Sequence, residues 1–322
     1  MRQLSVSQLT QRLQQRTYVQ GPLAGVSTVA FRRLIWRYSQ PAWVCSEMIS
    51  AKSLFLGRAR IKERYLAISE EEGPLCIQIA ADTPEDAAKA CEMINPLDVS
   101  MIDLNAGCPV KKIRQRGQGS ALLAKPETLR DIILAMRAHS RFPISVKIRV
   151  DGVCSDYNQA VLRAINQARP DFLSVHARSY LDGYDIPVRM DQLAWFARHA
   201  DMPVIGNGDV RTLEQTKAFT DHGCQGVMIS RASVGAPWLI GTLQAKLADE
   251  LPYETPSPTE RWEVFVDHIA MLSCLLGNDR FALAQAQGLI KYYQRHNNFS
   301  HNLVEAVQQA ESVADLSQLK AC

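Results

Sequence analysis

This chain has no cysteine pair at metal or redox spacing, no apolar run long enough to span a bilayer and no large charge excess. Eight cysteines (Cys45, Cys76, Cys91, Cys108, Cys154, Cys224, Cys274 and Cys322) stand singly. That excludes a disulfide framework and a zinc ribbon, and it fits a reducing compartment with no bound metal. Met1 to Gln20 is polar and lacks the apolar core of a signal peptide, so the expected location is the cytoplasm, away from the membrane. The formal charge of +3 permits an acidic partner without demanding one, so a nucleic-acid role has to rest on local clusters. Motifs are missing too. Gly206-x-Gly208 lacks the third glycine of a dinucleotide fingerprint and Gly117-x-Gly119 follows no strand. There is no P-loop, no H-E-x-x-H and no G-x-S-x-G.

What remains is a soluble-type composition, 47% apolar and 21% charged over 322 residues, ample for one large α/β domain and a smaller appendage. Short β-rich runs recur at Thr17–Leu23, Trp43–Met48, Leu75–Ala80, Val99–Leu104, Ile144–Arg149, Phe172–His176, Pro203–Gly206 and Gly226–Ile229. Helical patterns lie between them, at Thr83–Ile94, Pro126–His139, Tyr157–Ala168, Met190–His199 and Thr212–Asp221. This alternation predicts an α/β fold, a (β/α)8 TIM barrel, over a doubly wound sheet with fewer units. Residues 1–16 read as a polar N-terminal extension, 17–250 as the barrel and the proline-rich 251–259 as a linker. Residues 260–322, with helical period over Glu260–Gly277, Arg280–His296 and Asn302–Val313, read as a C-terminal helical bundle.

In such a barrel the chemistry sits at the C-terminal ends of the strands. Those positions are polar here: Glu47, Gln78, Asn105 with Cys108, Lys147 with Arg149, His176 with Arg178, Asn207-Gly208-Asp209, and Ser230-Arg231. Small residues after the last two strands could turn backbone N–H groups toward a phosphate, although ordinary tight turns look the same. Cys108 follows a strand through Asn105-Ala106-Gly107 and is fixed by Pro109. It reads either as a reactive thiol or as one more structural cysteine. Lys111, Lys112, Arg114 and Arg116 behind it, the run Arg58 to Arg64, and Lys291, Arg295 and His296 near Tyr292 and Tyr293 are candidate RNA contacts or merely solvated faces.

Together Asp103-Leu104-Asn105-Ala106-Gly107-Cys108-Pro109, Lys111-Lys112 and Gly117-x-Gly119-Ser120-Ala121-Leu122 resemble the signature of the tRNA-dihydrouridine synthases. Pro22 to Gly25, Gln78, Val146 to Arg149, Val175 to Arg178, Asn207 to Asp209 and Met228 to Ala232 extend the likeness over nearly the whole chain. The tail around Ala284 to Tyr293 is most similar to the bacterial C subfamily. The resemblance implies an FMN-dependent barrel with a helical tRNA-binding domain that reduces a D-loop uridine to 5,6-dihydrouridine, with NADPH recharging the flavin. The C-type tail implies the uridine at tRNA position 16. Carried over, Pro22, Leu23 and Ala24 border the flavin, and Gln78 and Lys147 hydrogen-bond it. Asn207, Gly208, Asp209, Ser230 and Arg231 form its phosphate end. Asn105, His176 and Arg178 bind the substrate, and Cys108 is the proton donor. Gly21, Leu23 and Ser230 depart from the family's usual Ala, Met and Gly. Ser230 fits only if its φ is not positive.

The residue types suit that chemistry. Hydride delivery to C6 of uracil leaves charge that needs a proton at C5, and an ordinary thiol, with a pKa near about 8.5, holds one at neutral pH. Two alternatives remain at this point, a small-molecule FMN barrel and a non-catalytic tRNA-binding factor. A monomer is expected, because the RNA supplies the large interface.

Overall fold

The structure is a computed structural model that describes residues 2–57, 59–150, 155–250 and 253–319. Arg58, Cys154, Cys322 and the start of the 251–259 linker lie outside the described residues, as do the side chains of Arg60 and Lys62. Nine parallel strands form one sheet: β1 (Tyr18–Gln20), β2 (Val44–Cys45), β3 (Ile49–Ser50), β4 (Leu75–Ala80), β5 (Met101–Ala106), β6 (Ile144–Arg149), β7 (Phe172–His176), β8 (Val204–Asn207) and β9 (Gly226–Ile229). β1 pairs with β9 and with β2, and β2 pairs with β4, so the sheet closes on itself as a barrel. β3 is a two-residue strand paired to the end of β4.

The strands read as continuous apolar runs because both faces are covered, yet a period of two sorts them. Ile77, Ile79, Ile102, Leu104, Val146, Ile148, Leu173 and Val175 point outward into the main core beneath the helices. The opposite parity points inward and changes character along the barrel axis. Cys76, Met101, Phe172 and Ile205 fill the base, whereas Gln78, Asn105, Lys147, His176 and Asn207 line a cavity at the mouth.

The base is sealed by the helix Val6–Arg16, capped by a reciprocal Ser5–Gln8 box. Leu9 and Leu13, at 0% and 1% exposure, lie one turn apart and enter the lower core with Trp43 and Phe172. A Cβ on Gly226 would stand 2.4 Å from Leu13 Cδ1, so any side chain there would have to displace the buried Leu13. The segment whose composition reads as a polar extension is therefore the floor of the barrel.

Two expected elements are divided. The run Trp43–Met48 breaks after Cys45, where Ser46 Oγ accepts the Gln78 N–H at 3.0 Å and Glu47 turns to accept the Gly25 N–H at 2.6 Å. The span Asn302–Val313 is interrupted by Ala310, and Ser312 starts a new helix with its own capping box to Asp315. Tail helices at Pro258–Leu276, Asp279–Asn297, His301–Gln309 and Val313–Gln318 pack on the barrel. Phe265 meets Tyr293, and His268 faces Phe31 of a barrel helix at 5.7 Å between ring centroids. Asn297 Nδ2 donates to Gly235 O at 2.9 Å, and Arg37 pairs with Asp267. Tyr293 is buried and its hydroxyl is 3.2 Å from His268 Nδ1, so it belongs to this joint and offers no face to RNA.

Candidate active site at the barrel mouth

A cavity of about 260 Å³ opens at the C-terminal ends of the strands. Pro22, Leu23, Ala24, Gln78, Asn105, Cys108, Lys147, His176, Asn207, Gly208, Asp209, Ser230 and Arg231 all line it. Residues far apart in the chain converge because the parallel strands all end at one mouth, where their inward-facing positions step around the barrel. Gln78 is level with Asp103, Asn105 with Lys147, and His176 with Asn207.

One wall is a chain of hydrogen bonds. Asn105 Oδ1 accepts the backbone N–H groups of Gly107 and Cys108 at 3.2 and 2.9 Å, and its Nδ2 donates to Gln78 Oε1 at 2.9 Å. Gln78 Nε2 donates to Asp103 Oδ2 at 2.7 Å, and Ser145 Oγ donates to Asp103 Oδ1 at 2.6 Å. Gly107 lets the chain leave β5 against β6, since a Cβ there would lie 3.1 Å from the Ile148 carbonyl carbon. Ser120 donates twice to Cys108 O, and Arg149 Nε donates to Gly107 O at 3.0 Å. Cys108 is thus held from both sides while remaining half-buried at the cavity.

The facing wall carries charge. Asp209 accepts from Arg178 at 2.5 Å and from Arg231 at 2.6 Å. Gly208 and Asp209 turn at φ +146° and +50°, and the N–H groups of Gly208, Asp209 and Ser230 donate to no acceptor among the described residues. Ser230 has φ −122°, outside the positive range that would demand glycine, so a side chain is admitted there. Lys147 Nζ donates to Asn207 Oδ1 at 2.7 Å, and Asn207 Nδ2 donates to Met228 O.

Burial dominates the titrations. It pulls the Lys147 ammonium down to about 8, with Arg149 adding to the effect and Asp103 opposing it. It pushes the Asp103 carboxyl up to about 6, against the pull of Ser145, Gln78 and Lys147. His176 falls well below the ordinary histidine range through burial and the cations Lys147, Arg149, Arg178 and Arg231. It is neutral at physiological pH.

Arg178 does not line the cavity. It is buried behind Asp209, with Nε on Ile186 O, and its Nη1 has no hydrogen-bond partner among the described residues. Its contacts among the described residues make it a strut for Asp209. Three participants escape sequence reasoning. Tyr184 lines the cavity with its ring 3.5 Å from the Arg231 guanidinium. Met48 closes one edge. Asp103 is part of the quoted motif, but nothing local announces that it lies beside Gln78. Beyond Val110 at the cavity edge, Lys111, Lys112 and Arg116 are exposed, and Arg114 covers the Tyr180 ring at 3.8 Å. Among the described residues there is no cluster able to hold a metal and no helix long and apolar enough to cross a membrane.

Comparison with known proteins agrees with this geometry. The profile of the family described as "Dihydrouridine synthase (Dus)" matches residues 19–321. A protein of Synechocystis named "Probable tRNA-dihydrouridine synthase 1" is 30% identical over 79% of this chain and 72% of its own length. The "tRNA-dihydrouridine synthase B" of Shewanella oneidensis is 30% identical over 80% of each. Among solved structures, an old yellow enzyme homologue from Zymomonas mobilis superposes with a TM-score of 0.52 at 14% identity, over 76% of this chain and 92% of the other. That last likeness is one of barrel fold. With the match running from β1 into the tail and the Asn105–Cys108 segment seated at the barrel mouth, the chain belongs to the dihydrouridine synthase family.

Proposed function

We propose that this cavity reduces a uridine of tRNA to 5,6-dihydrouridine on bound FMN, with NADPH as the reductant. The observation that carries the reading is the convergence of a constrained thiol, a donor amide and a buried ammonium in one cavity of a dihydrouridine synthase family member. The flavin fits the residues present. The Gly208-Asp209 turn offers uncommitted N–H groups beside Arg231 for a phosphate, and the buried Arg178 Nη1 adds positive charge behind them. Pro22, Leu23 and Ala24 offer an apolar edge for a ring, with Gln78 and Lys147 as polar contacts. When bound and reduced, this group supplies a hydride.

The chain's own residues do the rest. Lys147 places a positive charge where negative charge has to be held. Asn105 Nδ2 has one hydrogen left for a carbonyl oxygen of the base, and Cys108 Sγ delivers a proton to C5. His176, being neutral, shapes the pocket and hydrogen-bonds the base. The target base has to leave its stack to reach this depth. Lys111, Lys112, Arg116, Lys291 and Arg295 hold the phosphates around it. The C-type likeness of the tail is the support for tRNA position 16 as the target. The enzyme works as a cytoplasmic monomer.

The test is direct. Protein reconstituted with FMN and NADPH is incubated with tRNA from a strain lacking dihydrouridine, and the modification is mapped by mass spectrometry. Dihydrouridine at position 16 is expected. Dihydrouridine at another D-loop site would overturn the position, and none at any site would overturn the activity.

A further inference from the structure

The sequence signature contains an acid, Asp103, for which the reaction has no use. It is 3% exposed, carries no ion pair within 4 Å among the described residues, and meets only the donors Gln78 Nε2 and Ser145 Oγ at hydrogen-bond distance. Such a buried carboxylate, hydrogen-bonded but without a paired cation, is costly to keep. An ionised carboxylate only accepts hydrogen bonds, whereas a primary amide can turn either end toward a neighbour. Two amides, Gln78 and Asn105, lie in series between Asp103 and the loop that holds Cys108. At the far end of the series are backbone N–H groups, which only donate. An acceptor at one end and donors at the other leave a single self-consistent orientation for both amides.

We infer that Asp103 is a positioning residue: by accepting from Gln78 it fixes the orientation of Gln78 and Asn105, clamps the Gly107–Cys108 backbone, and leaves Asn105 able only to donate to the cavity. A donor-only Asn105 takes a ring carbonyl oxygen, as in uracil, and rejects an exocyclic amino group. Only this last consequence rests on the proposed function. The orientation itself is a property of the protein without flavin or RNA.

Asp103→Leu and Asp103→Asn separate an orienting role from bulk and charge. Leucine removes the acceptor. Asparagine keeps one, because its Oδ1 can accept from Gln78 while its Nδ2 turns to Ser145 Oγ. In the flavin-free protein, the alkylation rate of Cys108, followed by peptide mass spectrometry, is expected to change severalfold in Asp103→Leu and to stay within about 3-fold of wild type in Asp103→Asn. In the loaded enzyme, Asp103→Leu is expected to lower kcat on tRNA by roughly 30- to 100-fold with KM within about 3-fold, the usual consequence of a small misplacement. Asp103→Asn is expected to stay within about 5-fold in both. Equal impairment of the two variants, or wild-type alkylation in Asp103→Leu, would overturn the inference. Should Asp103→Leu not fold, hydrogen exchange of the 15N-labelled Gln78 and Asn105 side-chain amides decides. Slow exchange in wild type and in Asp103→Asn supports the clamp, and exchange as fast as surface amides overturns it. A wild type that reduces no uridine but shows the expected alkylation pattern would remove the proposed function and leave the role of Asp103 standing.

Discussion

The two walls of the cavity are built on opposite principles. The wall of β4, β5 and β6 is a directional chain of short hydrogen bonds running from Asp103 through Gln78 and Asn105 to Cys108. The wall of β7, β8 and β9 is ionic, with Asp209 shared by Arg178 and Arg231. The first specifies angles and suits a step in which a proton has to reach one atom of a flat base. The second specifies charge and suits an anion whose exact pose matters less. Damage to the first wall should therefore appear in turnover, and damage to the second in stability and ligand affinity.

The largest expected effect is at the end of the directional wall. Cys108→Ala should lower uridine reduction by about 10²- to 10⁴-fold, the range of general acid catalysis, while NADPH still reduces the flavin. Stopped-flow absorbance and dihydrouridine mass spectrometry read the two halves. Full turnover would remove the proton-donor role.

On the ionic wall, Asp209→Ala leaves the Arg178 guanidinium, whose side chain is 4% exposed, buried without its carboxylate. A loss of about 3–5 kcal/mol in folding stability is expected, measured by denaturant unfolding of the flavin-free protein. A loss below about 1 kcal/mol would show that this wall is not organised by Asp209.

The directional wall should show the opposite sign. The Asp103 pKa is raised to about 6 in the fold, so the native state binds more protons than the unfolded chain between its ordinary range and that value. The contribution is favourable below the unfolded pKa and is lost as pH rises through about 6. At neutral pH the ionised acid therefore costs on the order of 3 kcal/mol at most. Asp103→Asn should be more stable than wild type at neutral pH, and the gain should vanish near pH ~4. Equal stability at both pH values would show that no such cost is carried.

The smallest effect is a titration at the seam of the two walls. Lys147 is lowered to about 8, so its native charge is present at neutral pH and is lost as pH rises through that value. Between that pH and the ordinary lysine range the unfolded chain holds the extra proton, so stability rises with pH there. A 13C-methyl-lysine titration of the flavin-free protein should place Lys147 near 8, with Lys147→Arg removing the signal. A titration in the ordinary lysine range would contradict the desolvated site.

Much of this was readable beforehand because it is local. Strands β4, β6, β7 and β9 coincide with their apolar runs, and period-two alternation assigns Gln78, Lys147 and His176 inward. The Asn105–Cys108 segment carries its own turn chemistry in Gly107 and Pro109. The Val6–Arg16 helix misleads for a physical reason. Only Leu9 and Leu13 are buried, and two leucines in a polar helix give a mean composition like that of any solvated one. Tyr293 is similar, since its polar neighbours Lys291 and Arg295 face water on other sides of the same helix.

By itself the sequence determined the alternation of elements, the inward parity of the polar strand ends and membership of the family. These depend on neighbours within a few residues and on ordered motifs along the chain. Only the tertiary structure decided that Asp103 ends a chain of amides beneath Cys108, that Arg178 braces Asp209 from behind, and that Tyr184 crosses from a loop to Arg231. Each depends on which strand lies beside which and at what height. Barrel closure sets those distances, and no stretch of sequence contains them.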